Sequence, residues 1–335
     1  MEIWLRYDLR SPKFGTPTKT IISVALEQAA WADSRGFHTV QLSEHHGYVD
    51  NYNPSPLVLG GAVAAVTSKL RINPPLILPL HDPIRLAEDC CVLDNISNGR
   101  LDITAILGYM PGDFAMYGVS LGDRSRLAVR SLEVLAVAFS GRPFDFEGRK
   151  GCVTPLPIQP GGPPIYVGGS VMATARRAAK YGQGYYPMNP DEKFVTEYRR
   201  ACAELGKSPG KVLRYSPALF VHVAEDPDAA WAKIAPHAMH ESNSYAKGAQ
   251  ATGEMNPFPA AENPEALRKT GAYLVLTPSQ CLDYARRERQ AGRFITLVPM
   301  MGGLAPDLAW SSLELFGNEV LPTLLAEEKN ESGIS

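Results

Sequence analysis

The alternation of strand-like and helix-like segments from one end of the chain to the other is what most restricts its fold. Short apolar runs that read as strands fall at residues 3–8, 39–43, 70–78, 101–107, 165–168, 184–187, 213–223 and 294–299. Between them lie segments of helical periodicity at 19–35, 55–67, 84–96, 126–139, 173–181, 192–205, 227–239 and 279–290, with a last one at 307–325. Strands separated by helices of this length pair in parallel through crossover connections. Eight such repeats predict an α/β fold, a (β/α)8 TIM barrel with loop insertions. One barrel domain over 1–326 is expected, with a flexible, charged tail at 327–335.

Local signals fix several boundaries. Pro83 suits a first helical turn, Asn98 and Gly99 end the third helix, and Gly36, Gly182, Gly206 and Gly292 each follow a helical run where a left-handed cap is expected. Stretches near 108–123 and 241–271 are long for barrel loops and rich in Gly, Pro, Asn and Ser, so they are expected to be insertions or lids over a site. Residues 141–164 are expected to hold a small hairpin and a proline-rich return.

The charge balance of 33 basic against 35 acidic residues, both signs interspersed, offers no basic stripe for nucleic acid and no polybasic patch for a membrane. No run approaches the length of a membrane span. The start of the chain enters a strand-like segment without the pattern of a secretory signal. Five scattered cysteines, odd in number and without zinc spacing, fit a reduced, cytoplasmic protein. There is no Gly-x-Gly-x-x-Gly after a strand and no phosphate-loop Gly-Lys-Ser/Thr, which argues against a Rossmann domain and a nucleotide triphosphatase.

Candidate chemistry gathers where strands end, since catalytic groups of a barrel stand at the carboxyl ends of its strands. Glu44, His45 and His46 close the second strand; the alternative is that two loop histidines are only satisfied polar residues. After the fifth strand Gly168, Gly169 and Ser170 lead through Val171 toward Thr174 in a helix, a strand, glycine turn and helix amino end that can receive a phosphate. The glycines could instead only make a tight turn, with Ser170 capping the helix. Pro74 and Pro75 interrupt the third strand and imply a bulge, a cis bond or a late strand start. Arg124 and Arg126 open the fourth helix, and either could pair with a phosphate. His237 and His240 share a helix face without an evident third ligand, so no metal site is expected. Tyr185 to Pro187 could line a flat ligand or simply fill core and rim.

Five blocks in one order carry a resemblance. They are Glu44-His45-His46; Leu78-Pro79 with Asp82-Pro83-Ile84-Arg85-Leu86-Ala87-Glu88-Asp89; Leu93-Asp94 with Ser97-Asn98-Gly99-Arg100-Leu101; Gly112-Asp113-Phe114 with Tyr117-Gly118; and Tyr166-Val167-Gly168-Gly169-Ser170. In these the chain resembles the bacterial luciferase-like, flavin-dependent monooxygenases. The resemblance implies a (β/α)8 barrel that binds reduced FMN, or in a related branch the deazaflavin F420. It implies a reaction of FMN supplied by a separate reductase with O2 to oxygenate a small organic substrate. It places His45 beside the flavin ring as a base and hydrogen-bonding group. It sets Ser170, the Val171 backbone and Thr174 at the flavin phosphate, and Pro74 and Pro75 at a cis peptide facing the ring. Ile106 and Leu107 stand where the luciferase α subunit has a cysteine beside the flavin and an arginine for the phosphate. Light emission is therefore not expected, and Arg124 or Arg126 is expected to meet the phosphate charge. A homodimer through the second and third helices is also implied. F420-dependent hydride transfer and a non-catalytic flavin-binding homologue are the rival expectations.

Overall fold

The computed structural model describes residues 1–252 and 257–332. Its strands are β1 (Ile3–Tyr7), β2 (Thr39–Leu42), β3 (Arg71–Asn73), β4 (Pro75–Ile77), β5 (Ile103–Ile106), β6 (Phe144–Phe146), β7 (Arg149–Gly151), β8 (Ile165–Gly169), β9 (Gly184–Pro187), β10 (Lys211–Val212), β11 (Phe220–Val223), β12 (Tyr273–Leu276) and β13 (Ile295–Leu297). Helices alternate with them, and every pairing described is parallel except the hairpin of β6 and β7. The fold class is the α/β, (β/α)8 type expected from the alternation.

The chain falls into two compact units. One comprises Gln41–Gly47 and Asn53–Arg214, and the other Met1–Val40, Tyr48–Tyr52 and Tyr215–Ser335. In the first, the strand order is β10-β9-β8-β5-β4, with Ile77 opposite Ile106 and Val167 opposite Tyr185. Parallel pairing brings the carboxyl ends of these strands to one edge. The helix Pro83–Ile96 shows how local sequence sets its limits. Asp82 accepts from the Ile84 and Arg85 N–H groups, Pro83 occupies the first turn, and the chain leaves through left-handed Asn98 and Gly99. Cys90 and Cys91 on this helix are both fully buried.

In the other unit β1 lies beside β13, Tyr215 bridges to Phe294, and β11 pairs with β12 from Phe220 opposite Tyr273 to Val223 opposite Leu276. A buried polar network follows β1. Arg10, with no exposed surface, donates to Asp50 and Ser244 and sits against the rings of Tyr48, Tyr52 and Tyr245. Arg6 and Tyr273 both donate to Glu241, each at 2.7 Å.

Several expectations are corrected. Of the seventh strand, expected at 213–223, only Phe220–Val223 forms as β11; the short β10 ends before it at Val212, and Pro217 between them has no N–H to give a ladder. The partner of β11 is β12, a strand not anticipated, whose four-residue run follows a glycine in the left-handed region, Gly271. The helix expected at 227–239 runs on from Pro227–Thr252. Of the expected insertion at 241–271, residues 253–256 lie outside the described residues, and a short helix, Pro264–Lys269, follows them. Gly182 is not left-handed; a Cβ there would stand 2.8 Å from the Gly184 carbonyl, so it is close approach that requires glycine. The helix Leu321–Ser332 takes in most of the expected tail, and Glu327 on it accepts from Arg286 and Arg289.

Pro74 and Pro75 carry neither a cis bond nor a bulge. Among the described residues the cis peptide is Thr154–Pro155. The register does not shift across the prolines, since Ile72 lies opposite Leu101 and Pro75 opposite Thr104. What Pro74 removes is one ladder donor. The Asp102 carbonyl, which a residue 74 N–H would have met, accepts instead from the Asn73 side chain at 3.3 Å, and the ladder resumes with the Thr104 N–H on the Pro74 carbonyl.

Candidate active site

The residues singled out in the sequence, His237 and His240 apart, lie in the unit of Gln41–Gly47 and Asn53–Arg214. The buried run of β2 ends at Leu42, and the loop after it is clipped by the His45 N–H on the Asn53 carbonyl and by the Asn53 side chain on the Ser43 carbonyl. This clip turns Glu44 inward. One carboxylate oxygen accepts the Ile77 N–H at the end of β4 at 2.5 Å, and the other meets His81 Nε2 at 2.8 Å. His46 Nε2 stands 3.3 Å from that second oxygen, a close contact without the alignment of a hydrogen bond.

Burial alone would push the Glu44 carboxyl up. His46, His81 and the Ile77 N–H outweigh it and hold the carboxyl down at about 2. For His81 burial works downward, and Glu44 overcomes it, so the imidazole is raised. Glu44 is therefore a fixed anion shared by two histidines and a strand end.

His45 is held from another direction. The helix Pro111–Met116 begins after β5, and its Asp113, with no exposed surface, meets His45 Nδ1 at 2.7 Å and accepts the His46 N–H at 3.1 Å. A carboxylate at Nδ1 selects the tautomer with its proton there, so in the neutral ring Nε2 is the basic nitrogen. Tyr109 packs edge-on to His45, and Tyr117 packs on His46 with its hydroxyl 3.2 Å from Nδ1. Phe114 anchors the helix among Ile77, Leu80 and Ile106. The turn after β5 closes over Ile77 at Gly108, whose φ is +73° and where a Cβ would stand 2.6 Å from the Ile77 side chain.

The glycine turn lies at the end of β8. Gly168 packs on Ile106, and a Cβ on Gly169 would stand 2.7 Å from Thr174 Oγ1, so the hydroxyl of buried Thr174 closes on bare backbone. Ser170 does not cap the helix, contrary to the alternative considered for it. Val171 occupies the cap position and no side chain accepts from the first turn of the helix Met172–Tyr181. The Thr174 N–H meets the Val171 carbonyl, the N–H groups before it remain for an anion or solvent, and the cradle left by two glycines fits a phosphate-bearing cofactor.

Ile77, Ile106 and Gly169 thus end three strands on one edge, and Glu44 and His45 are tied to the first of them and to the helix beyond the second. Pro75 begins β4 at its other end. Arg124 donates to the Leu121 carbonyl, and exposed Arg126 is held by Asp123. Tyr185, expected as a possible ligand contact, is core and packs on Tyr198. In the other unit His237 meets the Gly302 carbonyl and His240 meets Asp50. No group of three or more metal-ligating side chains occurs among the described residues. Nor is any helix there long and apolar enough to cross a membrane.

Asp113, His81 and Tyr117 received no role in the sequence. Asp113 and Tyr117 lay inside a family-like block, but their partners are about seventy residues away and local pattern does not reveal them.

The model of the luciferase-like monooxygenase family matches residues 11–295. The chain belongs to this family. It is 29% identical over 175 residues to an uncharacterized protein of Sinorhizobium fredii, and it spans about half the length of the first such curated relatives, 49% in this case. The oxygenating constituent of 3,6-diketocamphane monooxygenase from Pseudomonas putida, a type II Baeyer-Villiger monooxygenase solved with FMN, superposes with a TM-score of 0.70 at 21% identity, covering 96% of this chain and 98% of that one. An F420-dependent secondary alcohol dehydrogenase superposes with a TM-score of 0.73 at 19% identity, covering 96% and 98%. Likeness at this identity shows the shared fold; the first of these proteins is solved with FMN and the second with an F420–acetone adduct.

Proposed function

We propose that this luciferase-like protein is a flavin-dependent monooxygenase that uses reduced FMN and O2 to oxygenate a small organic substrate, with the FMN reduced by a separate enzyme. The observation that carries the reading is the Asp113–His45 pair beside the ends of β4 and β5, on the edge where β8 ends in an uncapped glycine turn. Reduced FMN, when bound, supplies the electrons that activate oxygen. The chain's own part is to hold and move protons at His45 Nε2, with Asp113 fixing the ring and Glu44 fixing the loop. Ser170, the Val171 backbone and Thr174 hold the phosphate end, and Pro75 of β4, with Pro74 just before it, and Ile106 of β5 lie under the ring. The helix Pro111–Met116 serves as a cover that keeps water out.

Replacing His45 by Ala is expected to lower turnover by roughly 100-fold to 10,000-fold, the usual range for a lost general acid or base, while flavin affinity and Tm stay close to those of the parent. Turnover within a few-fold of the parent would remove His45 from the chemistry. The likeness to an F420 enzyme supports a second reading, hydride transfer from reduced F420. Anaerobic titration with reduced FMN and reduced F420, followed by mixing with O2, separates the two. Oxygen consumption coupled to product favours the first, and tight F420 binding with no reaction toward O2 favours the second.

We also propose a homodimer. Val58 and, on the helix Pro83–Ile96, Val92 and Ile96 are exposed apolar residues on two helices that pack together, and a Cβ at Gly61 meets open space. Light scattering at micromolar concentration should give twice the chain mass; a monomer would overturn this. The five free cysteines accord with a cytoplasmic setting.

A further inference from the structure

Two histidines stand side by side after β2, and one face of the helix Pro111–Met116 meets both. Asp113 and Tyr117 are four positions apart, which puts them on the same side of the helix. Asp113 meets His45 Nδ1 and accepts the His46 N–H, and the Tyr117 hydroxyl stands 3.2 Å from His46 Nδ1 with its ring edge-on to the imidazole. The place of Tyr117 is set by how the helix ends. The Gly118 N–H meets the Ala115 carbonyl, the Val119 N–H meets the Phe114 carbonyl, and Gly118 is left-handed, with φ +66°. This is a Schellman closure, completed by Val119 packing on the cluster of Phe114. Tyr117 is therefore the last residue of a closed turn, although its side chain is exposed.

Which way the proton lies between Tyr117 and His46 follows from the other side of the imidazole. His46 Nε2 is buried, has no hydrogen-bond partner and stands 3.3 Å from Glu44 Oε1. Glu44 is ionised, with the Ile77 N–H and His81 already on its two oxygens. Were the proton of the neutral ring at Nδ1, the Nε2 lone pair would face a buried anion across that distance. With the proton at Nε2, the positive end of the N–H bond lies toward the carboxylate, and Nδ1 is left to accept from the Tyr117 hydroxyl. Burial, Glu44 and Asp113 all push the Tyr117 hydroxyl up, so it keeps the proton it donates.

We propose that Tyr117 is a positioning residue whose hydroxyl caps His46 Nδ1 and fixes the proton of that ring at Nε2. The two histidines are then held as opposite tautomers by one helix face. Of the pair, His45 is the one that offers its basic nitrogen to the chemistry, and His46 does not compete with it for a proton. That consequence rests on the flavin reading, whereas the hydrogen bond does not.

Tyr117→Phe removes the donor and keeps the ring. The full chain is labelled with nitrogen-15 at histidine, and the His46 signals are assigned by their loss in His46→Gln. The parent should show a protonated Nε2 and an unprotonated Nδ1. In Y117F the two signals should move toward each other as the second tautomer fills, and His46 should take up a proton at a pH higher by roughly half to one unit, the worth of one neutral hydrogen bond. A parent ring protonated at Nδ1, or at both nitrogens at neutral pH, overturns the proposal, and so does a Y117F spectrum that matches the parent's. The pH dependence of kcat/KM reads the consequence: the parent should follow one basic group and Y117F should show a second, and superimposable profiles would overturn the masking of His46. If neither chain turns over with reduced flavin and O2, the flavin reading falls, and the spectra still decide for or against the tautomer.

Discussion

Glu44 and Glu241 are both buried, with 2% and 0% of their surface exposed, yet their carboxyl groups are shifted in opposite directions. In each, burial is the largest influence and acts upward. Around Glu44 the opposing groups are the two imidazoles, His81 hydrogen-bonded and His46 close beside it, and the Ile77 N–H; no acid is among the chief influences, and the carboxyl falls to about 2. Around Glu241 the donors are Arg6 and Tyr273, Asp8 lies close enough to repel, and the carboxyl rises to about 6. Burial therefore does not decide the charge state of an interior carboxylate. The number of directed donors and the presence of a second acid do. Of the two, Glu44 is built to stay ionised and hold the loop of His45 and His46.

Replacing Glu44 by Gln tests the stronger half of that contrast. A carboxyl lowered from 4.5 to about 2 contributes stability that is fully present above 4.5 and lost as pH falls through about 2. Urea unfolding of the parent should thus weaken over that acid range by about 3 kcal/mol, and E44Q should show little of this slope. At neutral pH E44Q should be less stable by a comparable amount, because His81 and the Ile77 N–H lose a charged acceptor. His81, being raised, adds a contribution present below its unfolded value of 6.5 and lost as pH climbs through its higher folded value. An E44Q variant as acid-sensitive as the parent would show that Glu44 is not the anchor of the loop.

What could be read in the sequence follows the range of the interactions involved. The Glu-His-His run at a strand end, the limits of the helix Pro83–Ile96 and the glycine turn after β8 are local, and they stand where the residues indicated. The hydrogen bonds that give His45 its tautomer and Glu44 its charge join residues between 33 and 68 positions apart. Only the fold supplies such partners. Pro74 misled for a different reason. A missing N–H can be answered by a bulge, a cis bond or a neighbour's side chain, and Asn73 answers it by the third route. β12 went unread because Tyr273 to Leu276 is too short to stand out, and its pairing with β11 is made across some fifty residues.

The smaller test is at the other glutamate. A carboxyl raised from 4.5 to about 6 favours the folded state while protonated, so its contribution is complete below 4.5 and is lost as pH rises through about 6. The parent should lose about 2 kcal/mol over that interval from this group. Gln at position 241 cannot ionise, and its one carbonyl oxygen keeps an acceptor for Arg6, which meets Oε1, or for Tyr273, which meets Oε2. E241Q should therefore flatten the decline between pH 4.5 and 6 while leaving the acid limb assigned to Glu44 intact. Urea titrations of the parent, E44Q and E241Q across pH 2 to 8 read both slopes from one set of curves. If E241Q declined as steeply as the parent, the ion pair with Arg6 would outweigh the nearness of Asp8, and the two carboxylates would differ in degree rather than in direction.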